Sequence, residues 1–444
     1  MLYITGKSRP LCDSLTRRKF IAIGSLGFFG CTLSNLLAAE SAGQKTKRSV
    51  ILIWQHGGPS QLDTFDMKPS APAEVRGPYN SIATTLPGVR IGERLPYHAK
   101  VMDKMSVIRS FTHSTNDHFA AAHWILSGYF GATGREQAAH NPSMGSVVSR
   151  FLRPRQSGLP TYVNINDGGF GYHGAAFLGA AYNPINTGSY SYGREGIQFP
   201  SINESRLELI DGLSHNRADN RLSLVKRMDI LKKNLNNSKE VERFDEFSRQ
   251  AVEIVTSGKT RDAMDVEKED IKVRERYGKG WGEQALLARR LVEAGVRFVT
   301  LNTGYWDDHG NIKNALDEKL PRHDRAVGVL IADLAERGML DDTLVISAGE
   351  FGRTPLINKD AGRDHWGAAQ SIVLAGGGYR HGQMIGKTDS KAAYPTHRPV
   401  GPLDLCQIVY NSLDLKPNEL TVTLPDGRPI HLLQGGNIPP ELVV

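Results

Sequence analysis

The sequence predicts an α/β fold, a three-layer α/β/α sandwich on a mainly parallel central sheet with a helical insertion. Three observations predict it. Short, largely apolar runs recur along the chain, as expected of strands covered on both faces. Segments of helical periodicity lie between several of them. Polar clusters gather next to the runs, and in open α/β sheets the carboxyl ends of strands border the ligand crevice.

The first 42 residues stand apart from that pattern. Thr16, Arg17, Arg18, Lys19 and Phe20 fit a twin-arginine export signal, followed by a mostly apolar stretch from Ile21 to Leu37 and small residues around Ala38–Ala42. Gly, Ser and Asn interrupt the stretch, which falls short of the ~20 apolar residues of a spanning helix. The expectation is a periplasmic or secreted protein with no stable membrane span once the signal is removed. A buried N-terminal helix is the alternative reading.

The folded part begins with "SVILIW" at 49–54, a strand run. Further strand runs are 105–110, 161–166, 296–302, 343–347 and 371–376. Helical patterns cover 282–295 and 325–338, the second with Val327, Leu330, Ile331 and Leu334 on one face and a stop at Gly338. Residues 203–273 are charged and lack strand signals, so they read as a helical insertion, either a cap over the crevice or a surface pair of helices.

Composition narrows the partners. The chain has 444 residues, 40% hydrophobic and 23% charged, which is the balance of a folded globular protein. Its net charge is +7, of which the leader holds a surplus of three, leaving about +4. With no long Lys/Arg block, nucleic acid is not an expected partner. Cys12 and Cys31 belong to the leader, so Cys406 alone remains and no intramolecular disulfide can form.

Four polar clusters carry possible chemistry. The first is Gln55, His56, Gly57 and Gly58, with Asp63 and Asp66 beyond. The second, "THSTNDHFAAAHW", places His113, Asp117, His118 and His123 before or within an Ala-rich helix. Its His118 and His123 are five apart and share no helix face. The third is Asp307, Asp308 and His309, a compact arrangement of oxygen and imidazole donors suited to zinc or another divalent ion. The fourth is Glu350 and Arg353, followed by Asp364 and His365. Carboxylates and imidazoles gathered from several strand ends are what metal-assisted hydrolysis needs. Taken singly, each has a plainer reading: a helix cap for an Asp–His loop, an ion pair for Glu350 with Arg353, helix packing for His123.

"GGPSQLDTFDMKP", "DHGN", "GEFGRTP" and "GRDHWGAAQSIVLAGGG" occur in this order. Together they resemble the bacterial exported domain-of-unknown-function family 1501, from about residue 48 to 440. That family resembles a branch of the alkaline phosphatase and sulfatase superfamily. The resemblance implies an alkaline phosphatase-like sandwich and hydrolysis of phosphate or sulfate esters with a divalent metal, zinc, calcium or magnesium. Carried over by position, it implies Asp307, His309, Glu350 and His365 as metal ligands, with His56 after the first strand. His118 falls at the nucleophile position and stands as nucleophile or general base, with Asp117 beside it. Ser114 or Thr115 are substitutes if the loop is shifted. Arg353 is the group that would neutralise an anionic ester. Glu350 and Phe351 stand where relatives carry Asp-His. Two functions follow: an exported metal-dependent ester hydrolase, or a non-catalytic envelope protein that keeps the fold and binds an anionic ester or glycan.

Overall fold

The computed structural model describes residues 46–131, 139–167, 172–189, 249–254 and 256–443. The expected leader and residues 203–248 of the expected insertion lie outside the described residues.

Eight strands form one sheet: β1 (Ser49–Trp54), β2 (Met105–Phe111), β3 (Tyr162–Asp167), β4 (Ile185–Ser189), β5 (Phe298–Asn302), β6 (Thr343–Ala348), β7 (Gln370–Ala375) and β8 (Gln383–Ile385). Their spatial order is β8-β2-β7-β6-β1-β5-β3-β4. The six expected runs are all strands of this sheet, and β1 is buried along its whole length. Alternation sends Ile51 and Ile53 to one face and Val50, Leu52 and Trp54 to the other, where each joins a separate apolar core. Helices α3 (Trp281–Ala294) and α4 (Ile312–Glu336) cover the first face. Helices α1 (His118–Ser127), α2 (Met144–Phe151) and α5 (Pro402–Ser412) cover the second. The three-layer sandwich is therefore present.

The sheet departs from parallel at one place that matters. β7 runs antiparallel to both β2 and β6, whereas β1 is parallel to β5 and β6. The start of β7 therefore lies at the edge where its neighbours end, and the residues before it reach the same crevice. The sequence run looks the same for either direction, because burial on both faces sets its composition.

Helix α4 begins at Ile312, thirteen residues before the expected Arg325, and passes through Pro321. A proline there forfeits one backbone hydrogen bond, and buried Leu316, Leu320 and Ala326 on either side hold the helix together. The described end of the expected insertion contributes short helices at Lys259–Met264 and Ile271–Tyr277. Ala263, Met264, Val266 and Tyr277 share the core with α3, and buried Arg289 pairs with Glu269, Glu293 and Asp333. No helix among the described residues is long and apolar enough to cross a membrane.

Candidate metal centre

Five chain segments meet at the end of the sheet where β1, β5 and β6 stop. β1 delivers His56, and the loop after β5 delivers Tyr305, Asp307 and His309. The turn after β6 delivers Glu350 and Phe351, and α1 begins with His118. The antiparallel position of β7 brings His365, paired across a short ribbon with Arg353. Gly57 and Gly58 make this convergence possible. Both have positive φ, at 106° and 81°. A Cβ on Gly57 would stand 2.5 Å from the Asp307 nitrogen, and one on Gly58 2.5 Å from the Phe351 carbonyl oxygen. Only glycine allows such approach at such φ.

Three imidazoles are oriented in the same way. His365 Nδ1–H donates to the Asn116 carbonyl at 2.9 Å, which leaves its Nε2 2.9 Å from Asp307 Oδ1. Because a carbonyl can only accept, Nδ1 carries a proton, and in the neutral ring the lone pair is then on Nε2. His309 Nδ1 lies 2.7 Å from Asp364 Oδ1, and its Nε2 lies 2.9 Å from Asp307 Oδ1. His118 Nδ1 lies 2.7 Å from Glu350 Oε1, and its Nε2 lies 3.3 Å from Asp307 Oδ2. Outward acceptors that fix the tautomer and leave Nε2 facing inward are the usual surroundings of metal-bound histidine. His309 Nε2 and His365 Nε2 are 3.0 Å apart, a repulsive contact between lone pairs unless a proton or cation lies between them. Ligands 2.0–2.1 Å from a tetrahedral ion stand about 3.3 Å from one another, close to the separations here.

His118, Asp307 and His365 each offer a donor atom within 4.8 Å of the others, and so do His56, His118 and Glu350. A neutral imidazole has one lone pair, so His118 can serve one of these groups at a time. Glu350 is fully buried, and its Oε1 accepts from both His118 Nδ1 and the Gly57 amide, at 2.8 Å for the latter. That favours a proton on Nδ1 and a lone pair on Nε2, toward Asp307. Glu350 Oε2 is buried with no hydrogen-bond partner among the described residues, which is costly in a closed polar network and fits a centre that binds something.

The charges agree with this arrangement. Burial works against a proton on His118, but hydrogen bonds to Asp307 and Glu350 outweigh it and push its pKa up to about 9. Burial also works against the charge of Asp307, yet His118, His365 and Arg353 hold that carboxyl well below the usual carboxylate range. Glu350 is likewise lowered against its burial, by His56 and His118. Burial lowers His56 itself. The electrostatics thus favour positive charge between the carboxylates of Asp307 and Glu350, the charge a divalent cation would supply.

The expected residues separate into several roles. Asp307, His309 and His365 lie together around Asp307 Oδ1, and His118, expected as nucleophile or general base, turns its Nε2 to the other oxygen of Asp307 and makes a donor group with Asp307 and His365. Glu350 and His56, also expected as ligands, make the second donor group with His118, with His56 Nδ1 3.5 Å from Glu350 Oε1. Asp117 lies outside both groups of donors and caps α1, its Oδ1 accepting from the Ala120 amide at 2.9 Å. Arg353 requires a correction. It is 1% exposed, and its guanidinium donates to the carbonyls of Gly57, Gly58, Trp306 and Arg363 and to Asp307 Oδ1. It cannot reach an anionic ester, nor does it pair with Glu350; it anchors Asp307. Asp63 and Asp66 also lie elsewhere, one paired with buried Arg363 and the other bonded to Thr388.

Other residues complete the centre. Phe351 packs against His118 and His365, with ring centroids 4.8 and 4.4 Å apart. Asp364 and Asn116 orient histidines, and Tyr305 donates its hydroxyl to Asp307 Oδ2 at 2.9 Å. Asp364 and Tyr305 carry a signal in hindsight, since each lies within two residues of a donor.

The chain belongs to the family described as Protein of unknown function (DUF1501), whose model matches residues 47–442. Comparison with curated proteins finds no match. Among solved structures, the chain is similar to the lipoteichoic acid synthase LtaP from Listeria monocytogenes. The identity is 11% over 84% of this chain and 74% of that one, with a TM-score of 0.37. It is also similar to the alkaline phosphatase of the Antarctic bacterium TAB5, at 12% identity over 84% of this chain and 98% of that one (TM-score 0.35). A third is the PsFucS1 sulfatase from Pseudoalteromonas sp., at 11% identity over 86% and 72% (TM-score 0.37). Likeness at this level decides nothing about chemistry, which must come from the site.

Proposed function

We propose that this chain is an exported, metal-dependent hydrolase of phosphate or sulfate esters, built around one divalent ion held by His118, His309, His365 and Asp307. The observation that carries the reading is the common orientation of the three imidazoles, each with Nδ1 engaged by an outward acceptor and Nε2 turned to Asp307. A nitrogen-rich set with one carboxylate suits zinc better than calcium or magnesium, which prefer oxygen. When bound, such an ion polarises an ester oxygen and makes water a better nucleophile.

The chain's own residues do the rest. Glu350, Asp364 and the Asn116 carbonyl hold the histidine tautomers, Arg353 fixes Asp307, and Phe351 packs behind two of the rings. The leader at 1–42 supplies export by the twin-arginine route. The test is elemental analysis of the purified chain together with turnover of aryl phosphate and aryl sulfate. One zinc per chain, lost in His365→Ala, with turnover that follows the zinc, is the expected result. Neither metal nor turnover would sink the reading.

A second reading, a non-catalytic binder of an anionic ester or glycan, is favoured by one observation. His118, at the position of the expected nucleophile, is engaged by Glu350 and Asp307. Stoichiometric metal with no turnover would select that reading.

A further inference from the structure

The loop that carries Asp307 also carries an exposed tyrosine. Tyr305 is 37% exposed, whereas Glu350 and Phe351 behind the centre are fully buried. Its position is nevertheless fixed. The Thr303 amide donates to the Trp54 carbonyl at 2.9 Å, and the Trp306 amide donates to the His56 carbonyl at 2.7 Å. The Trp306 indole N–H closes the turn on the Thr303 carbonyl at 2.9 Å. Gly304, at φ 43°, lies against the Trp281 ring, where a Cβ would collide. The tyrosine is thus held by pinned backbone on both sides while its ring stays open to solvent.

From there the phenol reaches inward. Its O–H donates to Asp307 Oδ2 at 2.9 Å, and its ring lies 6.2 Å from that of His56. Asp307 does not depend on this bond for its charge, because Arg353 donates to its other oxygen at 2.7 Å. The hydroxyl can therefore leave Asp307 without stranding it.

We infer that Tyr305 is the substrate-contacting donor of the centre, its O–H turning from Asp307 Oδ2 to a non-bridging oxygen of a tetrahedral oxyanion. The inference rests on the ester-hydrolase reading above and gives it a specificity determinant. A phosphate or sulfate group offers charged acceptor oxygens to that donor, which an uncharged ester lacks. Arg353, buried beneath Asp307, does not take this role.

The test is calorimetric titration of the zinc-loaded full chain with inorganic phosphate and, separately, inorganic sulfate, for the native protein and Tyr305→Phe. The variant loses a single oxygen atom from a solvent-facing ring, and an unchanged thermal melt and zinc content establish that the centre is intact. The expected result is binding of one or both anions by the native chain and about tenfold weaker binding by Tyr305→Phe, the worth of one hydrogen bond to a charged group. Binding within twofold of native overturns the role of Tyr305 and leaves the metal centre standing. If the native chain takes up no zinc, or the zinc-loaded chain binds neither anion, the ester-hydrolase reading fails and the role of Tyr305 fails with it.

Discussion

Helix α1 carries two histidines, His118 and His123, that end in opposite chemistry. His118 lies between the carboxylates of Glu350 and Asp307, which outweigh its burial and raise its pKa to about 9. His123 is buried among backbone groups. Its Nδ1–H donates to the Tyr129 carbonyl at 2.8 Å, and its Nε2 accepts from the amides of His140 and Asn141 at 3.2 and 3.1 Å. Burial lowers its pKa and keeps it neutral. Five residues rotate a helix by about 500°, so the two side chains leave in directions some 140° apart. One faces the crevice and the other the packed interior. Residue type alone does not make a site; the partners waiting at each position do.

The widest separation between the two regions should come from Asp307→Asn. Three Nε2 atoms face that carboxylate, so ion affinity should fall by at least about 100-fold, beyond the usual cost of losing an outer-shell partner. Equilibrium dialysis against zinc measures it, and native affinity in the variant would contradict the assignment. His123→Ala should do the reverse. It strands the Tyr129 carbonyl and two amides and leaves a cavity, at a cost of about 2–4 kcal/mol. Urea unfolding should register that loss while zinc content stays native.

Glu350→Gln sharpens the comparison by keeping the shape and removing the charge. Zinc affinity should fall about 10–100-fold, with the fold intact by circular dichroism. An unchanged affinity would make the His118–Glu350 bond incidental.

The smallest expected effect is on pH dependence. His118 has a folded pKa of about 9 against an ordinary value of 6.5. Its contribution to stability is therefore fully present below pH 6.5 and lost as pH rises through about 9. The lowered values of His123 and of fully buried His323 act oppositely, contributing above 6.5 and losing that contribution as pH falls. Thermal melts of chelator-treated protein should decline from pH 7 to 9.5, and His118→Gln should flatten that decline while leaving the acid side in place.

Much of the framework was legible in the sequence, for a physical reason. Runs such as Val50–Trp54 and Leu344–Ile346 are apolar because both faces of the strand are covered. β8 was not legible, since three residues, Gln383–Ile385, carry no periodicity. The direction of β7 was hidden because burial does not depend on direction. That direction also explains how Asp364 and His365, which precede a strand, share a crevice with residues that follow strands.

At the site, Asp307 with His309, and His365 beside Asp364, were readable as separate clusters of oxygen and imidazole donors. The roles of Arg353 and His118 were not. Arg353 stands three residues after Glu350 in sequence, yet it turns under Asp307 to acceptors that only the folded chain assembles, the carbonyls of Gly57, Gly58 and Trp306. Which nitrogen of His118 is free depends on Glu350, 232 residues away. Such long-range hydrogen bonds leave no local trace in sequence.

The most direct measurement is the zinc content of the purified full chain beside those of His118→Ala and His123→Ala, after equilibration with zinc and removal of the unbound ion. The account predicts one zinc per chain in the native protein and in His123→Ala, and none in His118→Ala. Zinc retained in His118→Ala, or absent from the native chain, would contradict it.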